Sequence, residues 1–183
     1  MDESEAIRRL KEGDIGGLQA LVQQHQVRAI RAADLITHDS HLAEDVVQDC
    51  FLRLCRSIRS FDDGRPFEPW FMRSVVNAAV KAARHAAKET PLGASDENRF
   101  ENLLGRAESV ESQVETTEVQ NEVREALQQL SPRQRAAIVQ RYYLGMSEKE
   151  MAVELDAAPG TVKWLLNAAR QKMRARLGER SRR

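Results

Sequence analysis

Apolar residues recur at every third or fourth position along nearly the whole chain, and nowhere do they alternate with polar ones over five or more residues. In SHLAEDVVQDCFLRLCRSI the set Leu42, Val46, Cys50, Leu54 and Ile58 returns every four residues. That spacing lines one face of a helix and cannot line one face of a strand. The expected fold class is therefore all-α. Punctuation divides it: Ser4 is placed to cap a first helix ending at Gly13, and Asp14 to cap a second running to about Thr37. Leu18, Leu21, Val22 and Ile30 form the expected buried stripe of that second helix. Ser40 is placed to cap the third. Gly64, Pro66 and Pro69 interrupt SFDDGRPFEP, and a fourth helix is expected from about Glu68 to Lys88.

From Glu89 the period is lost, with Pro91, Gly93 and Gly105 as breaks and at most a helical turn around Phe100 to Leu104. Helix is expected again from Val119 to Leu130. Ser131 with Pro132 starts another that Gly145 ends. SEKE reads as a capping box, Ser147 with Glu150, opening a short helix to about Asp156. Ala157 to Gly160 turn into the last one. The sequence thus predicts two small helical domains, residues 1–88 and 119–183, joined by a flexible acidic linker at 89–118.

Charge follows the same division. The net charge is zero. Yet residues 1–88 balance 13 acidic against 13 basic side chains, 89–122 hold 9 against 2, and 123–183 hold 6 against 13. A basic end beyond an acidic spacer suits a polyanion-binding module with a segment that avoids or mimics nucleic acid. The longest apolar run is four residues, Ala136 to Val139, too short to enter a bilayer. The start, MDESEAIRRL, has no apolar core segment, so no membrane insertion and a cytoplasmic location are expected.

The short capped helix, the turn and the longer basic helix form a helix-turn-helix pattern. Met151, Ala152 and Leu155 should meet Val162, Leu166, Ala169 and Met173. That leaves Lys163, Asn167, Arg170 and Arg174 on the opposite face with Gln171 beside them, side chains suited to phosphates and base edges. The fourth helix carries a second stripe: Arg73, Asn77, Lys81, Arg84 and Lys88 share one face, while Phe71, Val75, Ala79, Ala82 and Ala86 share the other. Phe61, Phe67 and Trp70 sit just upstream, where aromatics beside cations suit single-stranded nucleic acid, or else plug the core. On the third helix Asp45, Gln48, Asp49, Leu52 and Arg56 lie away from the apolar face, and a leucine among acids there suits a protein contact.

Chemistry beyond binding finds little support. His38, His41, Cys50 and Cys55 are the only residues that could suggest zinc, and thiols on an apolar stripe are ordinary core. There is no nucleophile–base pair and no glycine-rich phosphate loop. No metal, no cofactor and no enzymatic activity are expected.

Three stretches now combine: AEDVVQDCFLRL (43–54), FDDGRPFEPWFMRSVVNAA (61–79) and LSPRQRAAIVQRYYLGMSEKEMAVELDAAPGTVKWLLNAARQKMRARL (130–177). Together, in this order and with an acidic linker between, they resemble bacterial RNA polymerase sigma factors, most of all the extracytoplasmic-function (ECF) group. The resemblance covers nearly the whole chain. It implies docking of the third helix on core RNA polymerase through Asp45, Gln48, Asp49, Phe51, Leu52 and Arg56. It implies opening of promoter DNA and capture of a flipped −10 base by Phe61, Asp62, Arg65, Trp70, Arg73, Asn77, Lys81 and Arg84. Asn77 falls where the family carries an asparagine. For the −35 element it implies Thr161, Lys163, Trp164, Asn167, Arg170, Gln171 and Arg174. The linker would thread through the polymerase, and an anti-sigma factor is an implied partner.

The chain departs from the family at one informative place. Where sigma factors of this group read close to GTVKSRLxRAR, this chain has GTVKWLLNAAR, with Trp164 for serine and Leu165 and Ala168 for arginines. Lost cations imply a weaker grip on phosphates, and hence an unusual promoter or one helped by another protein. The basic run after Asn77 is likewise thinned, to AAVKAARHAAK. Two alternatives stay open at this point: a sigma-like protein that titrates polymerase or an anti-sigma factor, and a stand-alone helix-turn-helix regulator.

Overall fold

The computed structural model describes residues 1–89 and 110–180, with side chains for 1–87 and 119–178. All regular structure among them is helical. The chain divides into two compact units, Met1–His85 and Ala86–Arg183.

Unit 1 is built from α1 (Glu3–Lys11), α2 (Ile15–Thr37), α3 (Ser40–Ser57) with a 3-10 turn at Ile58–Ser60, and α4 (Phe67–Glu89). The caps differ from the sequence expectation at two places. Asp2, not Ser4, accepts the Glu5 N–H, and Asp39, not Ser40, accepts the Leu42 N–H. Each carboxylate stands just ahead of the expected serine, so the serines fall inside the first turn. Asp14 caps α2 as expected. The end of α2 has no glycine; His38 takes the left-handed conformation there at φ 58°. That shape is uncommon for a residue with a Cβ, though histidine adopts it more readily than most. It reverses the chain into α3 within three residues.

Alanine makes α2 a close packer. Ala29, Ala32 and Ala33 are fully buried beside Ile36 and Leu21, and α2 packs on both α1 and α3. Of the expected stripe only Leu21 is fully covered. Leu18, Val22 and Ile30 are half-buried, because they line an open groove against α3. An aromatic cluster holds α4 in place: the Phe71 ring lies 4.6 Å from Phe51 and stacks on Phe67 at 5.7 Å. Burying rings of this size contributes about 1.5–3 kcal/mol each.

Unit 2 comprises α5 (Val110–Gln128), α6 (Pro132–Ile138), α7 (Glu148–Glu154) and α8 (Pro159–Arg180), which packs against the other three. Helix α5 starts nine residues earlier than expected. Beyond Gly105 the sequence has no proline or glycine to prevent it, and helix does not require an apolar period. The rest of the expected linker, including the turn at Phe100 to Leu104, lies outside the described residues. After α6 the chain widens into a π-turn at Val139–Tyr143, where the sequence pattern predicts plain helix. The Leu144 N–H reaches back to the Val139 carbonyl, and Gly145 at φ 71° ends the turn.

Both capping boxes of unit 2 form, Ser131 with Gln134 and Ser147 with Glu150. Bonds from the Ser147 side chain and backbone hold the Glu150 carboxyl below its ordinary value of 4.5. A carboxyl whose folded pKa is depressed stabilises fully above the unfolded value and loses that contribution as pH falls through the folded one. Ser147→Ala should therefore lower the melting temperature of unit 2 at pH 7, by the few degrees that a lost cap costs. The difference between variant and parent should shrink in melts run below pH 4. An undiminished difference at low pH would place the effect elsewhere.

Candidate polymerase and promoter interfaces

On α3 the expected docking residues separate into two kinds. Asp45, Gln48, Asp49 and Arg56 are exposed, and Leu52 stands 65% exposed among them. Phe51 is a correction: it is only 6% exposed and packs on Phe71, so it supports this face from behind. Between Leu52 and Gln48 on α3 and Leu18, Val22 and Ile30 on α2 runs an open apolar groove of about 480 Å3. An exposed leucine on the lip of an apolar groove, ringed by carboxylates and an amide, is a surface built for a protein partner.

The loop from Phe61 to Pro66 and helix α4 form the second surface. Arg73, Asn77, Lys81 and Arg84 are all exposed along one side of α4, as their spacing requires. Phe71, Val75 and Ala79 are buried on the other, with Ala82 and Ala86 half-buried. The aromatic residues divide between the two expected roles, core and surface. Phe61, expected as a DNA contact, is 4% exposed and meets Phe67 edge-on at 5.6 Å. Trp70 remains half-exposed, resting on Phe61 at 4.9 Å. Spacing alone cannot reveal which of these rings turns inward. The exposed residues are Asp62, Asp63, Gly64, Arg65 and Pro66. Asp62 shapes this loop by accepting the Gly64 N–H at 3.0 Å, and its carboxylate lies 3.5 Å from Arg65.

On α8, Thr161, Lys163, Trp164, Asn167, Gln171 and Arg174 are exposed, and Trp164 is 65% so. Val162, Leu166 and Ala169 are fully buried beneath them, whereas Met173 and Leu155 of the expected core are half-buried. Leu165 is a second correction. It is 9% exposed, so position 165 faces the packed side, and leucine there adds core rather than removing a cation from the outer face. Of the two substitutions for arginine, only Ala168, half-buried, can have thinned that face.

Tyr142 is a neighbour of the basic face that the sequence does not single out. The π-turn carries it to the surface, where its hydroxyl accepts a 2.8 Å bond from Arg170 Nε, and the guanidinium lies 5.8 Å from its ring centre. Arg170 also donates to Asn167 Oδ1 at 3.4 Å. The arginine most central to the basic face is thus tied to both Tyr142 and Asn167. Nothing in the local sequence signals a π-turn, so this pairing across 28 residues has no readable sign. Arg135 on α6 differs from these cations: burial pushes its guanidinium down to about 10.

Among the described residues no cluster of His, Cys, Asp or Glu is arranged to hold a metal, and no helix is long and apolar enough to cross a membrane. Cys50 is buried, and burial pushes its thiol up.

Region 2 of the sigma-70 family matches residues 21–89, and region 4 of the same family matches 120–173. The ECF RNA polymerase sigma factor SigL of Mycobacterium tuberculosis is 31% identical over 163 residues, which span 88% of this chain and 89% of SigL. The RNA polymerase sigma-H factor of Pseudomonas aeruginosa is 26% identical, across 92% of this chain and 90% of its own. Among solved structures, CnrH in complex with the cytosolic domain of CnrY superposes with a TM-score of 0.65 at 24% identity, over 97% of both chains. The sigma factor RpoE in complex with the anti-sigma factor NepR from Bartonella quintana gives 0.64 at 20% identity, over 87% of this chain and 98% of its own. These two similarities bear on the fold.

Proposed function

We propose a division of labour among three surfaces from one premise: the chain belongs to the sigma-70 family and, within it, to the ECF sigma factors. As such it binds core RNA polymerase and directs promoter recognition and transcription initiation. Sigma factors are recognition factors rather than enzymes, so every bond in the transcript is made by polymerase and none by this chain. Residues 1–88 and 119–183 are its two working domains, with 89–118 as the tether between them. Its place of action is the cytoplasm.

Asp45, Gln48, Asp49, Leu52 and Arg56 dock on core polymerase, with Phe51 stiffening the surface behind. The exposed loop residues Asp62 and Arg65 with Trp70, Arg73, Asn77, Lys81 and Arg84 receive the opened −10 strand, the cations holding backbone and the ring offering a stacking surface. Thr161, Lys163, Trp164, Asn167, Arg170, Gln171 and Arg174 read the −35 duplex. CnrH and RpoE were each solved in complex with a partner chain, and an anti-sigma factor is the corresponding partner here. One observation carries this reading: each unit presents an exposed cation stripe on the outer side of a helix whose inner side is sealed in core. The reading as a DNA-silent titrating protein loses weight, because Leu165 belongs to the core.

The test is transcription by purified bacterial core polymerase on a genomic fragment library, with and without this chain, mapping transcript starts. New starts should share a spaced, two-part upstream motif. Leu52→Glu should lower affinity for core by tenfold or more, about the cost of a central interface contact, with an unchanged melting temperature because Leu52 is exposed. Core binding without new starts would favour the titrating role. No core binding at all would remove the docking assignment.

A further inference from the structure

We infer that α1, which precedes the region matched to the family, is a brace for the −10 loop, and that Lys11 is its positioning residue. This rests on the reading of the loop at 61–66 as the element that captures a promoter base.

Helix α1 is fastened along its whole length. At its start, the Glu3 carboxylate lies 2.9 Å from Nε2 of His25 on α2. At its middle, Ala6, Ile7 and Leu10 are buried, and α2 approaches so closely that a Cβ at Gly17 would sit 2.7 Å from the Leu10 backbone nitrogen. Only glycine permits that approach. At its end, Lys11 leaves the α1–α2 pair and reaches the loop. Its ammonium donates to the Phe61 carbonyl at 2.8 Å and to the Asp63 carboxylate at 2.7 Å, and it lies 5.7 Å from the centre of the Phe61 ring.

The loop contains no regular structure between Ser60 and Phe67, so its shape depends on such ties. Phe61 and Phe67 root its two ends in the core, and Asp62 turns its tip. Between root and tip, Lys11 grips the carbonyl of Phe61 together with the carboxylate of Asp63. The Lys11 side chain is 22% exposed, so its bond to the Phe61 carbonyl is partly sheltered from water, whereas Asp63 is 69% exposed and its ion pair with Lys11 is the weaker tie. A loop fixed before binding need not lose conformational freedom when it takes a base out of the stack. In this arrangement Lys11 touches no DNA. It sets the pose of Asp62 and Arg65, which do.

The experiment uses the full chain with core polymerase on a promoter from the start-mapping library. Permanganate reactivity of the −10 thymines reports opening. Binding of single-stranded −10 oligonucleotides carrying each base in turn at the captured position reports discrimination. Lys11→Met should reduce opening by about tenfold, the scale of one lost charge-assisted bond, and flatten the base preference. Core affinity should stay at the parental value, and the melting temperature of unit 1 should fall by no more than the few degrees that one lost bond costs. Asp63→Ala should give a smaller loss in the same direction, and the double variant should be no worse than Lys11→Met alone. Should Lys11→Met fold poorly, Asp63→Ala severs the loop side of the same contact and decides the matter. Arg65→Ala is the reference for the loop itself. If it loses discrimination while Lys11→Met and Asp63→Ala keep theirs, the brace is wrong and the loop assignment stands. If all three keep it, the loop assignment fails and the brace falls with it.

Discussion

Replacing Lys163, Arg170 and Arg174 together by alanine is expected to flatten the salt dependence of duplex binding. Each phosphate neutralised by a side chain contributes about 0.9 to the slope of log affinity against log salt, so the triple variant should be shallower by about 2.7. Between 50 and 200 mM salt the parent should then lose about fortyfold more affinity than the variant. All three residues sit on α8 clear of the sealed side that holds Val162, Leu166 and Ala169, so the unit should fold as before. Among the single variants Arg170→Ala is expected to cost the most affinity, because Tyr142 holds its guanidinium before DNA arrives. Trp164→Ala separates grip from reading. An indole that is 65% exposed beside Lys163 has no phosphate to hold, so its loss should leave the slope alone and change which −35 sequences are preferred. Titrations of labelled duplexes across a salt series, with this chain bound to core polymerase, measure both. A triple variant with the parental slope would remove α8 from the DNA.

Phe71→Ala should have the largest effect on stability. Phe71 is fully buried, stacks on Phe67 and lies against Phe51. Emptying such a site costs about 3–5 kcal/mol, against a total of about 5–15 kcal/mol for a typical domain. The damage should also be functional in two places at once. Phe51 backs the docking face that Leu52 tops, and Phe67 roots the loop that Lys11 steadies. Core binding and promoter opening should therefore weaken together. The chain's two tryptophans give a clean readout, since Trp70 lies in unit 1 and Trp164 in unit 2. In urea, Trp70 fluorescence measured in a Trp164→Phe background should show an earlier midpoint for Phe71→Ala. Trp164 fluorescence in a Trp70→Phe background should show the parental one. A parental Trp70 midpoint would mean that the cluster closes over the gap.

The exposed cation faces are legible in the amino-acid order itself. A helix has a fixed period, so Arg73, Asn77, Lys81 and Arg84 must share a side, and Lys163, Asn167 and Arg174 must share another. The capping boxes at Ser131 and Ser147 are legible for a related reason, since both partners lie within four residues. Caps are ambiguous where two candidates stand close together. Asp2 and Ser4, or Asp39 and Ser40, are equally able to cap, and the choice depends on where packing against a neighbouring helix stops the regular backbone. Aromatic roles are hidden for want of a period. Phe61 and Trp70 border a turn, and only the packing of α1 and the start of α4 around it decides that Phe61 goes in and Trp70 stays half out.

What the sequence determined by itself, then, is much of what neighbours within about one helical turn set: where most helices lie, which faces of α4 and α8 carry the exposed cations, and the two capping boxes of unit 2. It also carried the family resemblance, because motif order survives without coordinates. Tertiary structure alone decided the pairings across long separations. Lys11 reaches Phe61 and Asp63, Tyr142 holds Arg170, and Leu165 turns to the core instead of the DNA side. These depend on how helices cross and how a π-turn rotates one side chain outward. Such angles emerge from many weak packing contacts summed over the unit, and no short stretch of residues encodes them.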